Sequence, residues 1–161
     1  MESDVKKGKN YLSISYNLMR NNTPYTGPTE VEIEYAILGW LNANGCFSWK
    51  VNVKGFFDTN KGFFRKSNHV YDIRGQSDIL GILPDGKLLA IEVKTEKEAK
   101  FITKNMEKLK TLVGITANKK NCHYHEQIDF LDQIKQHNGI SCIACCLDDV
   151  LRVLQSNGYI F

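Results

Sequence analysis

Asp78, Glu92 and Lys94 interrupt a stretch that otherwise has the residues of an apolar hairpin, GQSDILGILPDGKLLAIEVK, positions 75–94. Two carboxylates and an ammonium of this kind suit one chemistry above others. Oxygen ligands converging from two strands make a site for magnesium or manganese. Such an ion activates water and neutralises charge on a phosphoryl oxygen, and an ammonium beside it orients the water and stabilises a pentavalent phosphate. Hydrolysis of a phosphodiester is the expected use.

Register decides whether the two carboxylates meet. Pro84, Asp85 and Gly86 form a three-residue bend in which proline starts a type I turn and glycine takes the left-handed position. Leu83 then faces Lys87, and counting back by pairs sets Asp78 directly across from Glu92. A two-residue turn would set Asp78 opposite Val93 and put the carboxylates on opposite faces. Cross-strand partners hold their Cβ atoms about 5 Å apart, where two carboxylates repel by roughly 3 kcal/mol at an effective dielectric of 20. A cation between them removes that cost, and Lys94, two residues beyond Glu92, points to the same face. The alternative is a surface hairpin in which Glu92 and Lys94 are a solvated pair.

The elements that must position these residues follow from periodicity. TEVEIEYAILGWLNANG is a helix from Thr29, with Ile33, Ile37, Trp40 and Leu41 on one stripe and Asn44-Gly45 at its end. CFSWKVNV is strand-like, and KGFFDTNKGFFRKSNHVYDIRG is a long hairpin or loop, both aromatic and basic. A helix is expected from Glu96 to about Val113, then a polar loop TANKKNCHYH and a helix EQIDFLDQIKQ. ISCIACCL has the pattern of a central buried strand, and Asp148 is expected to cap a last helix. The order implies an α/β fold with a mixed sheet. Residues 1–28 are turn-rich and expected to be a loosely attached arm, leaving 29–161 as one domain.

Bulk properties narrow the classes further. The chain has 161 residues, enough for one domain with a real core. No run reaches the roughly 18 apolar residues that span a bilayer, and the polar N-terminus is not a secretory signal. Five cysteines, three of them in SCIACC, point to a reducing, cytoplasmic setting rather than to disulfides. Cys142 and Cys145 make a CxxC with no second pair, so no structural zinc is expected; Cys122, His123 and His125 are read as loop residues. The net charge is +3, yet Lys50, Lys54, Lys61, Arg65, Lys66 and Arg74 face only two acids in 50–74. A basic middle is compatible with a polyanion such as nucleic acid.

At these residues the chain resembles a known family. GQSDILGIL…KLLAIEVK is similar to the core motif of the PD-(D/E)XK nuclease superfamily, and more narrowly to the VRR-NUC (virus-type replication-repair nuclease) family. The likeness runs from about Thr29 to Leu154 and includes EIEYAILGWLNANG, FSWKVN and EQIDFLDQIKQHNGISCIACCLDDVLRVL. It implies a restriction-endonuclease-like core, α-β-β-β-α-β-α, and a metal-dependent DNA endonuclease. In that family Asp78 and Glu92 would bind Mg2+ or Mn2+ with the Val93 carbonyl, and Lys94 would be the catalytic lysine. Glu32 would be the glutamate of the first helix that reaches the site, and Gln127 the glutamine after the ExK strand. Glu32 has a rival reading, since Thr29-x-x-Glu32 is a capping box; Glu30 and Glu34 are the fallbacks. Ala36 and Gly39 would leave room on the Glu32 side.

The resemblance also implies branched or four-way junction DNA as substrate, the setting of DNA repair, and a homodimer, because cutting matched strands calls for two sites on a two-fold axis. Lys50, Asn52, Lys54 and Arg74 are the candidate phosphate contacts. One departure is a lysine-rich helical insertion, about 96–124, ahead of Gln127. Two rival functions share the site: a catalytically silent module that binds DNA or a partner, and a restriction-type enzyme cutting linear duplex.

Overall fold

The computed structural model describes residues 27–51, 56–59, 62–65, 72–111 and 119–161. Helix α1 (Glu30–Ala43) is followed by β1 (Phe47–Lys50), a short hairpin of β2 (Phe56–Asp58) and β3 (Phe63–Arg65), then β4 (Ile79–Ile82) and β5 (Leu88–Val93). Three helices follow, α2 (Glu96–Lys104), α3 (Met106–Lys110) and α4 (Lys119–Gln136), before β6 (Ile140–Ala144) and α5 (Leu147–Ser156). Strands β1, β4, β5 and β6 form a mixed sheet in that order, antiparallel except for the parallel pair β5–β6; β2 and β3 make a separate two-stranded sheet. The architecture is α/β with helices on the sheet's faces. Among the described residues no helix is long and apolar enough to cross a membrane.

Strand β5 is buried on both faces from Leu89 to Val93 and carries apolar residues toward both, apart from Glu92. Leu89, Ile91 and Val93 of β5 face α1 and α5, meeting Ile33, Ile37 and Leu41 from the first helix and Val150 and Leu154 from the last. On the other face Ala90 packs with Phe130 and Leu131 of α4. A smaller cluster of Ile102, Leu109, Tyr124 and Ile128 joins α2, α3 and α4.

That third cluster accounts for two differences from expectation. The helix expected over 96–113 breaks at Asn105 into α2 and α3. NCHYH is not a loop but the start of α4, because burying Tyr124 against Ile102 and Leu109 requires helical spacing with Ile128. His125 consequently lies against the Leu109 carbonyl, 3.0 Å away, and His123 is exposed on the helix. Strand β6, expected to be central, lies at the edge of the sheet among the described residues; α4 and α5 cover its faces, which explains its nearly complete burial. The last helix is capped at Cys146 and not Asp148, with Asp149 accepting the Cys145 N–H at 2.9 Å. Nearly all of the expected N-terminal arm lies outside the described residues.

The turn that sets the hairpin register folds as its residues predict. Gly86 N–H donates to the Leu83 carbonyl at 2.8 Å and Leu83 N–H to the Lys87 carbonyl at 2.9 Å, with Gly86 at φ +86°. Tyr159 near the C-terminus donates its hydroxyl to Asp85 Oδ2 at 2.6 Å, tying the bend to the end of the chain. A Cβ at Gly86 meets no atom within 4 Å, so only backbone strain opposes it. Gly86→Ala is therefore expected to lose about 1 kcal/mol in urea unfolding; a loss near zero would show that the turn does not depend on the left-handed residue.

Candidate active site

Ile79 pairs with Ile91, Leu80 with Ala90, Gly81 with Leu89 and Ile82 with Leu88. Continued one residue past the end of β4, that register brings Asp78 to Glu92, on the face that α4 covers, and the Asp78 charge acts on the Glu92 carboxyl. Asp78 is fixed twice. Its carbonyl accepts from Val51 N–H at 2.8 Å and its Oδ2 from Val93 N–H at 2.8 Å. Lys94 is set by its own N–H, which continues the β5–β6 ladder to the Ala144 carbonyl at 3.0 Å.

Glu92 is fully buried, at 0 % exposure, with Lys94 at 8 % and Gln127 at 5 % around it. Lys94 Nζ and Gln127 Nε2 both donate to Glu92 Oε1, and Lys94 Nζ also reaches the Val93 carbonyl at 3.2 Å. Burial pushes the Glu92 carboxyl up to about 8; Lys94 opposes that shift and the nearby Asp78 charge reinforces it. Burial acts to lower the Lys94 ammonium, but Glu92, Asp78 and Glu30 outweigh it and hold it above the usual lysine value. Three buried side-chain atoms have no hydrogen-bond partner among the described residues: Glu92 Oε2, Gln127 Oε1 and Ser77 Oγ. All three belong to the site or to the residue next to Asp78.

The first helix contributes different glutamates from the expected one. Glu32 is exposed and closes the capping box: Thr29 N–H and Oγ1 donate to its Oε2 at 2.8 and 2.9 Å. These bonds hold its carboxyl below the usual value. Ala36 and Gly39, expected beside the site, are also exposed. Helical period decides the matter, because Glu32 is two residues from both Glu30 and Glu34 and so turns away from their side. Glu30 lies at the start of the helix, where burial raises its carboxyl and the Lys94 charge lowers it. Glu34 is buried and paired with Lys50 of β1.

Lys50 is thus neutralised by Glu34, whose hydrogen bond raises the ammonium's pKa, with Asp78 adding to the effect. Arg74 is 83 % exposed in its side chain and lies 3.6 Å from Glu126. Asn52 and Lys54 lie outside the described residues. The site therefore carries an alternating set of charges: Glu34, Lys50, Asp78 with Glu92, Lys94, then Glu30. Glu30 and Glu34 had a sequence signal, since both fall on the buried stripe of Ile33, Ile37 and Leu41.

Do these residues fit a divalent cation? The Lys94 ammonium is a cation in contact with two of the expected ligand oxygens, Glu92 Oε1 and the Val93 carbonyl. An orphaned carboxylate oxygen and an orphaned amide oxygen remain. Two carboxylates and one carbonyl are a donor set for magnesium or manganese, with water filling the other positions. The donors fit. Comparison of the chain with family models, curated proteins and solved structures returns no match, so the site's chemistry is argued from its geometry.

The loop ahead of Asp78 packs against α4 at the residue that reaches Glu92. Gly75 has φ +68°, and a Cβ there would lie 2.2 Å from the Glu126 carbonyl oxygen and 2.6 Å from the Gln127 nitrogen. Gly75→Ala should cost more than about 2 kcal/mol, because backbone rather than a flexible side chain must yield. Equal losses for Gly75→Ala and Gly86→Ala in urea unfolding would contradict this close approach. A second expectation concerns pH. Folded Glu92 binds its proton more tightly than the unfolded chain does, so ion-free stability should fall as pH rises from 4.5 to about 8. The slope attributable to this group is at most about 1.4 kcal/mol per pH unit. Chelator-treated Glu92→Gln should show a flatter profile over that window; an identical slope in both proteins would remove the buried acid from the account.

Proposed function

We propose that this chain is a metal-dependent endonuclease that hydrolyses phosphodiester bonds in DNA, with branched or junction DNA as its substrate. The observation that carries the reading is the opposition of Asp78 and Glu92 on one sheet face, with Lys94 in contact and buried acceptor oxygens left over. The order of the main elements, α1, β1, β4, β5, helices, β6 and α5, supports a restriction-endonuclease-like core in which β2–β3 is an addition. The sequence resemblance to the VRR-NUC family points the same way, and a homodimer and a cytoplasmic setting are part of the same proposal.

When Mg2+ or Mn2+ is bound by Asp78, Glu92 and the Val93 carbonyl, it supplies charge neutralisation and a more acidic water. The chain's own residues do the rest. Val93 N–H holds Asp78 in one rotamer. Gln127 orients Glu92 through Oε1 and leaves Oε2 free to accept. Lys94 supplies a fixed positive charge for the oxygen that becomes more negative as a phosphodiester is attacked, in a site screened from water. The Glu30 charge adds to that of Glu92 and Asp78 in holding the ammonium above the usual lysine value. Arg74, exposed on the loop before Asp78, is the described basic residue best placed to meet a backbone phosphate, which positions DNA without reading its sequence.

A labelled four-way junction in magnesium tests this. Wild type should cut it, and Lys94→Ala and Asp78→Asn should each lower the rate on the order of 10²–10³-fold while remaining folded. Linear duplex in the same assay distinguishes junction preference from restriction-type cleavage. If wild type leaves both the junction and the linear duplex uncut in magnesium and in manganese, the enzyme reading fails and the binding module stands.

A further inference from the structure

Away from the carboxylate pair, a second group of ligand-type side chains converges where β6 runs into α5. Among the described residues, Cys145, Cys146 and Asp149 are the one set of three His, Cys, Asp or Glu side chains whose ligand atoms all lie within 4.8 Å of one another. Asp149 Oδ2 faces the Cys145 thiol at 3.2 Å, while its Oδ1 lies 3.3 Å from Arg152 Nη1. Arg152 therefore holds one carboxylate oxygen and leaves the other turned toward sulfur. The cluster opens onto a cleft of about 500 Å3 between α2 and α5, lined among others by Lys100, Lys104, Cys145, Asp149 and Arg152.

We propose that Cys145, Cys146 and Asp149 bind one thiophilic divalent cation, of the zinc or cadmium class, with its fourth position open to this cleft. Two sulfurs and one carboxylate oxygen are a soft, mixed donor set that selects such metals over magnesium or calcium. Three protein ligands and one open position form the accessible kind of zinc site rather than the closed structural kind. Two thiolates and a carboxylate around a divalent ion leave one net negative charge. Arg152 lies on the carboxylate, and the cluster stands at the start of α5, where the helix dipole favours negative charge, so that charge has partners. In the ion-free chain the Cys145 thiol keeps its proton and donates it to Asp149; each cysteine that binds releases one proton. Cys142, the other half of the CxxC, takes no part, since it is buried within β6.

The alternative is that Asp149 serves only as the cap that accepts Cys145 N–H at the start of α5. Cadmium titration of the reduced full chain separates the two, read by thiolate-to-cadmium charge-transfer absorbance, a signal that the carboxylate pair cannot produce. One equivalent of Cd2+ per chain should develop the band. Cys146→Ser and Cys145→Ser should each abolish it, Asp149→Asn should weaken binding at least tenfold, and Cys122→Ser should leave it unchanged. Thermal unfolding of the ion-free variants checks that they remain folded, and Cys146→Ser, which removes an exposed thiol, is the variant least open to misfolding. The proposal is overturned if no stoichiometric band develops, or if the band survives Cys146→Ser. This outcome is independent of whether the chain cuts DNA.

Discussion

A carboxylate without solvent, set opposite another carboxylate, is the constraint around which the rest of this structure is arranged. Glu92 is fully buried in the middle of a sheet face, and Asp78 is its cross-strand neighbour. Ionising such a group in a low-dielectric interior is expensive unless a cation is supplied. The protein supplies part of one from Lys94 and leaves Glu92 Oε2 with no partner. That combination is costly for a sheet whose only task is stability. It suits a place where a small divalent ion exchanges with an ammonium as the partner of the same oxygens.

Each layer of the fold contributes one element to that arrangement. The hairpin turn places the two carboxylates in register. The α4 face delivers Gln127 to Glu92, held at its depth by the contact with Gly75, where no side chain fits. The first helix brings Glu34 to Lys50 on the other face and adds the Glu30 charge to those acting on Lys94. Gln127 comes to Glu92 from 35 residues further along the chain. These placements follow from helical and strand period applied to a sheet with helices on both faces.

Much of this was legible in the sequence, and what was not has physical reasons. Three bend residues determined the hairpin register, because proline, aspartate and glycine each have narrow backbone preferences there. The apolar stripe of the first helix is equally plain, and it separates the glutamates: Glu30 and Glu34 share the stripe and Glu32, tied into the capping box, does not. The early start of α4 was hidden because NCHYH is polar on average, and only the packing of Tyr124 on α2 and α3 makes it helical. The edge position of β6 was hidden too, since a strand covered by helices on both faces has the same composition as a central one. Cys145, Cys146 and Asp149 carry a CCxxD spacing, which has meaning only once the start of α5 turns Asp149 back toward sulfur.

The central claim is that Asp78 and Glu92 share a divalent cation, and Mn2+ binding measured by calorimetry on the chelator-treated chain tests it most directly. The account predicts one strong site per chain in wild type, with release of a proton as Glu92 ionises, and its loss in both Asp78→Asn and Glu92→Gln. Wild type that takes up no manganese at this site, or variants that bind it as tightly as wild type, would contradict the account.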